Sequence, residues 1–216
     1  MDNPWLDLPL ADYEGHMALP GIEQAQMLSD LLADAIAQFE PQSIAILGCA
    51  GGNGFDRIPE SVARVVGVDI SPRYIAEVEV RYQDRFKKLE LIVGDIQKTE
   101  IGFAPVDLIF AGLVLEYVES DKVIARMRSW LNTCGHMVTV LQLPSTTCSQ
   151  VSSSPYSSLQ SLANIMNLVP LHALQHRAEA NSLVQLESRT LDSAGGKTFQ
   201  VQIFSPSQMH APTYSE

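Results

Sequence analysis

The sequence predicts an α/β fold: a parallel sheet with crossover helices, closed by an antiparallel pair at the C-terminus. Three observations predict it. An apolar run of strand length, Ser43-Ile44-Ala45-Ile46-Leu47, passes directly into the glycine-rich stretch Gly48-Cys49-Ala50-Gly51-Gly52-Asn53-Gly54. Downstream, strand, loop and helix patterns alternate three times, which is the signature of parallel strands joined by helices. Two alternating runs, Leu183 to Thr190 and Thr198 to Phe204, are then joined by a connection too short for a parallel crossover.

The chain has 216 residues with 46% hydrophobic content, ample for the core of one large domain. Lys and Arg number 14 against 25 Asp and Glu, a net charge of −11 that repels phosphate backbones and anionic lipid. No basic patch offsets it, because Arg81, Arg85, Lys87 and Lys88 are interleaved with Glu77, Glu79, Asp84 and Glu90. Nucleic-acid and membrane partners are therefore not expected. Cys49, Cys134 and Cys148 fall in no disulfide or metal-ligand spacing, so free thiols and a reducing cytoplasm are expected. No window reaches the length of a membrane span, and Met1-Asp2-Asn3-Pro4-Trp5 carries neither a basic flank nor a long apolar run. A soluble, unexported protein follows.

Residues 1–21 mix Trp5, Leu6, Leu8, Leu10, Tyr13, Met17 and Leu19 with three prolines, and they read as an arm that covers part of the domain. The domain itself is expected over 22–204, with a frayed tail over 205–216. Leu28, Leu31, Leu32, Ala35, Ile36 and Phe39 recur at helical spacing before Pro41. The glycine loop is expected to feed a helix over Phe55 to Ala63, its N-terminal N–H groups facing a bound molecule. Val62 to Val68 reads as the second strand, ending in Asp69. Ser71-Pro72 reads as a helix start, with the serine as cap and the helix running through Ile75, Val78 and Tyr82. Leu89 to Val93 closes on Gly94-Asp95, and Val106 to Phe110 opens into Ala111-Gly112-Leu113.

Leu113 to Val118 suggests a short helix. Ser120 is expected to cap another, buried through Val123, Ile124, Met127, Trp130 and Leu131 and ended by Cys134-Gly135. His136 to Leu143 follows as a strand, then a Ser/Thr-rich loop from Pro144 to Ser158, and helical pieces near Leu159 to Met166 and Leu171 to Ala180.

The glycine loop after the first strand, Asp69 after the second, Asp95 after the third and Asp107-Leu-Ile-Phe-Ala-Gly around the fourth together resemble the class I S-adenosylmethionine-dependent methyltransferases, over about residues 22–204. The resemblance implies a Rossmann-like, doubly wound seven-stranded sheet, mostly parallel with an antiparallel C-terminal hairpin strand and helices on both faces. It also implies S-adenosyl-L-methionine as cofactor, S-adenosyl-L-homocysteine as product, and a small-molecule methyl acceptor. On this basis Gly48, Cys49, Ala50 and Gly52 would lie along the amino-acid end of the cofactor, where bare backbone approaches closely. Asp69 would accept from two ribose hydroxyls. Asp95 would accept from the adenine amino group between Ile70 and Ile96, and Ala111, Gly112 and Leu113 would floor the methionine portion. Asp107 reads as structural.

Two positions depart from the family. Ile46 stands where an acid is common, and Ala50 replaces the middle glycine, which negative φ would accommodate. For chemistry, Tyr13-Glu14-Gly15-His16-Met17 gathers a phenol, a carboxylate and an imidazole in an apolar arm. His16 is the expected general base and Tyr13 the orienting group; Glu116 and Tyr117 are secondary candidates. His172 and His176 stand four apart but lack a third ligand, so no metal site is expected. A nicotinamide dehydrogenase is the competing enzyme class, and its Gly-x-Gly-x-x-Gly spacing fails here. A cofactor-binding regulatory or scaffold protein without catalysis is the other alternative, favoured by Ile46 and Ala50.

Overall fold

The computed structural model describes residues 3–98, 100–146 and 148–207. Among these, seven strands form one sheet: β1 (Ser43–Leu47), β2 (Arg64–Asp69), β3 (Leu89–Val93), β4 (Val106–Gly112), β5 (Leu131–Gln142), β6 (Leu183–Asp192) and β7 (Thr198–Pro206). The order across the sheet is β3-β2-β1-β4-β5-β7-β6. The first five strands pair in parallel and β7 runs antiparallel to both of its neighbours. From β1 the chain travels outward to β3 and then returns to lay β4 on the other side of β1. In such sheets a crevice opens beyond the carboxyl ends of the strands where the order reverses, here beyond Leu47 and Gly112.

The period of two in the central strands sorts side chains onto two covered faces. Ile44 and Ile46 join a core with Leu28, Leu31 and Leu32 of α2 (Gln24–Phe39) and Ile75 and Val78 of α3 (Pro72–Tyr82). Ala45 and Leu47 join the opposite core with Val123, Ile124 and Met127 of α4 (Ser120–Ser129) and Leu174 and Ala178 of α5 (Leu171–Ala180). The three α4 side chains are fully buried, each worth roughly 1.5–3 kcal/mol relative to exposure.

At the amino ends of the strands, Asp107 ties three elements together. Its carboxylate accepts from Gln42 N at 3.1 Å, Ser43 N at 2.9 Å, Ser43 Oγ at 2.8 Å and Asn132 Nδ2 at 2.7 Å. Burial pushes its carboxyl up, and the donors from Asn132, Ser43 and Gln42 more than offset this, leaving it below the usual carboxylate range. The structural role expected of Asp107 agrees with these contacts.

Four local expectations are corrected. After the glycine loop there is no helix but a single 3-10 turn, Phe55–Arg57. Phe55, Ile58 and Val62 are buried at helical spacing, yet Gly54 at φ +81° and Pro59 leave too few residues between them for a helix. The Ser71 hydroxyl does not cap α3; Asp69 does that work from two residues upstream by accepting from Ser71 N. Ser120 likewise makes no side-chain cap and lies inside α4, whose flanking residue is Glu119. Finally, α4 stops at Ser129 and Leu131 already pairs with Val106, so Cys134-Gly135 sits in a bulge before His136 pairs with Leu108.

The two C-terminal strands pair as expected. β7 runs on through Pro206, and residues 208–216 of the expected tail lie outside the described residues. The arm folds into a 3-10 turn, Pro4–Leu6, and α1 (Leu10–Met17).

Candidate active site

Gly48 N and Cys49 N both donate to Val68 O, at 2.8 and 3.1 Å, which turns the loop after β1 across the end of β2. This brings Ala50 N to 2.9 Å from Asp69 Oδ2, while Ser71 N reaches Asp69 Oδ1 at 2.9 Å. The Asp69 carboxylate is thus clamped between the glycine loop and the first turn of α3. Burial pushes its carboxyl up to about 6, against the N–H bonds of Ser71, Ala50 and Ile70. The two close bonds, from Ala50 N and Ser71 N, do not exhaust the lone pairs of a carboxylate, so it keeps acceptor capacity for hydroxyls.

The loop needs left-handed backbone at alternate residues: φ is +68° at Gly48, +47° at Ala50, +89° at Gly52 and +81° at Gly54. Ala50 does not adopt the negative φ that would accommodate an alanine there. Its N–H must face Asp69, and an alanine in this region costs on the order of 1–2 kcal/mol. Leu113, at the end of β4, carries a second left-handed side-chain residue at φ +55°. At Gly48 even a methyl group would meet Val114 Cγ2 at 2.9 Å.

A cleft opens beyond these turns, and Tyr13, Gly48, Ala50, Asp69, Ile70, Asp95, Ile96, Gly112 and Leu113 all border it. Asp95 Oδ1 accepts from Gln97 N at 2.9 Å and Gln97 Nε2 at 3.1 Å, which leaves its other oxygen available. Three expected cofactor residues lie outside this lining. Cys49 is buried among core residues, its Sγ near Gly67. Ala111 is fully buried on the α4 side of β4. Gly52 borders a neighbouring cavity under Tyr82. Ile46 is buried in the α2-side core and supplies no acid.

Sequence reasoning missed Trp5 and Tyr74, which complete an aromatic wall. Trp5 meets Tyr13 and Tyr117 edge-on, with centroids 5.5 and 5.1 Å apart, and Tyr13 stacks on Tyr74 at 6.3 Å. The Tyr74 hydroxyl donates to Leu8 O at 3.0 Å and so ties the arm to α3. The only available signal for Tyr74 was its place in the first helical turn after Asp69. A second tie is ionic: Arg81 of α3 binds both oxygens of Glu14 at 2.6 and 3.2 Å and donates to Gly51 O at 3.0 Å.

His16 does not border the first cavity. It lines an adjoining one, which shares Trp5, Tyr13, Leu113 and Tyr117 with the first and also meets Gln142 and Lys197. The His16 ring is buried and its Nδ1 has no hydrogen-bond partner among the described residues. Burial, then the positive charge of Lys197, hold its imidazole below the usual histidine range. Tyr13 stays a neutral phenol, since burial, followed by the charges of Asp69 and Glu14, raises it far above its ordinary value. Glu116 is fully buried behind Tyr117, where its Oε1 accepts from Gln142 N at 2.7 Å and burial pushes the carboxyl up to about 7. His172 and His176 are exposed on α5, and no group of three or more potential metal ligands occurs among the described residues. No described helix is long and apolar enough to cross a membrane.

The family described as a methyltransferase domain matches residues 46–139, from the last residues of β1 into β5. The whole fold agrees with that of class I S-adenosylmethionine-dependent enzymes. The N-methyltransferase NodS from Bradyrhizobium japonicum, solved with S-adenosyl-L-homocysteine, matches with a TM-score of 0.70 at 19% identity, over 95% of this chain and 100% of that one. Geranyl diphosphate C-methyltransferase from Streptomyces coelicolor matches with a TM-score of 0.64 at 14% identity, over 93% and 94%. At such identities the likeness is one of fold. Among curated proteins, a dimethyladenosine transferase from Kluyveromyces lactis is 38% identical over 73 residues, 32% of this chain and 23% of that protein. The chain thus matches under a quarter of that relative's length.

The residues of the methyltransferase domain fit S-adenosylmethionine. Gly48 leaves the space a Cβ would fill, Asp69 retains acceptor capacity after its two backbone bonds, and Asp95 retains one oxygen on the same cavity. That cofactor supplies an electrophilic methyl group on a sulfonium.

Proposed function

We propose that the chain is a methyltransferase that transfers a methyl group from S-adenosylmethionine to a small organic acceptor in the cytoplasm. The observation that carries this is the shared cavity: glycine loop, Asp69 and Asp95 all border one space, and a second chamber adjoins it through Trp5, Tyr13, Leu113 and Tyr117. Asp69 would hold the ribose and Asp95 the adenine amino group, with Ile70 and Ile96 against the ring. Gly112 and Leu113 lie beneath the methionine portion in this reading.

The acceptor would occupy the adjoining chamber, with the aromatic wall excluding water and aligning the nucleophile with the methyl carbon. The bound cofactor would supply the electrophilic methyl group, and His16 would take up the proton that the acceptor gives up. Tyr13, a neutral phenol, orients the reacting pair. A buried, neutral imidazole with a free nitrogen has the protonation state a base requires. The net charge of −11 and the largely apolar walls of the acceptor chamber favour a small molecule over a nucleic acid, although the curated dimethyladenosine transferases share a short matched segment.

Calorimetry with S-adenosyl-L-homocysteine tests the cofactor site. Asp69→Asn should weaken binding at least tenfold. In the unaltered protein affinity should fall below about pH 6, where the Asp69 carboxylate takes up a proton and loses acceptor sites. Equal binding by the variant would overturn the assignment. With an acceptor found, His16→Ala should lower turnover roughly 10²- to 10⁴-fold while leaving homocysteine-product affinity in place. Ile46, in place of an acid, favours a second reading: a cofactor-binding protein without catalysis. That reading predicts tight binding and no turnover across a broad acceptor panel.

A further inference from the structure

Lys197 is the feature the methyl-transfer scheme leaves unused. It ends the turn between β6 and β7, is 6% exposed, and borders the same chamber as His16. Its ammonium donates to Gln142 Oε1 at 2.9 Å and to Gln150 O at 2.5 Å, both neutral acceptors. No carboxylate pairs with it among the described residues, although the chain has 25 acids. An ammonium has three donors, so one remains. A buried cation without a counter-charge is costly, and it is kept where a ligand supplies the missing charge. His16 Nδ1, on the same chamber, is buried with no hydrogen-bond partner among the described residues. The remaining walls are largely apolar, with Met17, Val151, Leu159, Leu162 and Met166.

We propose that this chamber binds an acceptor carrying a single carboxylate on an apolar body, with Lys197 as the residue that selects the anion. The inference rests on the methyl-transfer reading and deepens it by naming the acceptor class. One ammonium neutralises one monoanion, whereas a phosphate dianion would leave a charge unmatched in an apolar chamber. Gln142 and Gln150 hold the Lys197 side chain in place, and Glu116 fixes Gln142 through its backbone N–H. Burial pushes the Lys197 ammonium down to about 8, with Cys148 acting in the opposite sense. His16 from α1 and Cys148 from the loop after β5 are the titratable groups that act on it.

The test uses the full chain saturated with S-adenosyl-L-homocysteine. Benzoate, phenylacetate and 3-phenylpropionate are titrated against their primary amides, which match them in shape and lack the charge. The carboxylates should bind at least tenfold more tightly than the amides. That preference should disappear in Lys197→Met, persist in Lys197→Arg, and decline in the unaltered protein above about pH 8 as the ammonium loses its proton. The affinity for S-adenosyl-L-homocysteine should be the same in all three proteins. If Lys197→Met fails to fold, the Lys197→Arg comparison and the pH profile of the unaltered chain decide. Tight binding of S-adenosyl-L-homocysteine with no carboxylate preference, or a preference that survives Lys197→Met, would overturn the carboxylate proposal alone. Failure to bind S-adenosyl-L-homocysteine would overturn the proposed function and this inference with it.

Discussion

At the scale of single residues, Ala50 joins backbone strain to ligand chemistry. Its left-handed φ of +47° lets its N–H reach Asp69, so the strain sits where the carboxylate has to be aimed. Ala50→Gly removes the Cβ conflict but frees the unfolded chain, and the net expected gain is on the order of 0.5–1 kcal/mol by denaturant unfolding. A loss of stability would mean that the alanine methyl packs well enough to offset its conformation. The placing of Asp69 and Asp95 on one cavity was legible from the sequence, because Asp69 ends β2 and Asp95 lies two residues beyond β3, both at the carboxyl side of a parallel sheet. The φ of Ala50 was not legible: it follows from two hydrogen bonds to Val68 O, a residue the sequence does not mark as a partner. Nor was the turn that buries Cys49 in the core while Ala50 faces the cavity.

Among the elements, α1 is held to the glycine loop through one arginine, Arg81. Glu14 and Arg81 are each more than a third exposed, so this pair contributes at most about 1 kcal/mol. The arm should therefore detach far more readily than the sheet unfolds. Glu14→Gln is expected to raise amide exchange in residues 10–17 several-fold with little change in overall stability; unaltered exchange there would assign the anchoring to Tyr74 and the aromatic wall instead. The sequence marked the arm as a cover because its apolar residues could not remain in water. It gave no sign of where the arm would settle, since Glu14 and Arg81 are distant in the chain and both look like solvent-facing charges. The helix expected after the glycine loop failed for a related reason. Phe55, Ile58 and Val62 are buried by α2, α3 and the sheet, and the tertiary contacts impose a helical spacing on a segment with no helix.

For the molecule as a whole, two buried acids tilt stability toward low pH. The ordinary value of Glu116 is 4.5 and burial raises it to about 7; for Asp69 the values are 3.8 and about 6. The folded state holds these protons after the unfolded chain has released them, so their contribution is fully present below about pH 4 and is lost as pH rises through 6 to 7. For Glu116 this amounts to roughly 3 kcal/mol. The stability difference between Glu116→Gln and the unaltered chain should therefore grow from pH 4.5 to 7 in favour of the variant; a constant difference would place the ionised carboxylate in a better-solvated setting than its burial implies. The parallel strands with crossover helices and the antiparallel C-terminal pair were legible from run lengths and connections, because connection length decides between a crossover and a hairpin. The chamber beside Lys197 was not, since it forms only when residues from α1, β5 and the β6–β7 turn meet.

Asp107 fastens β1, β4 and β5 at the end of the sheet remote from the ligand crevice, and every donor it uses lies on those strands or beside them. Substitutions around the crevice can therefore retune what the molecule accepts without loosening how its strands are aligned. Innovation and permanence are assigned to opposite tips of the same strands.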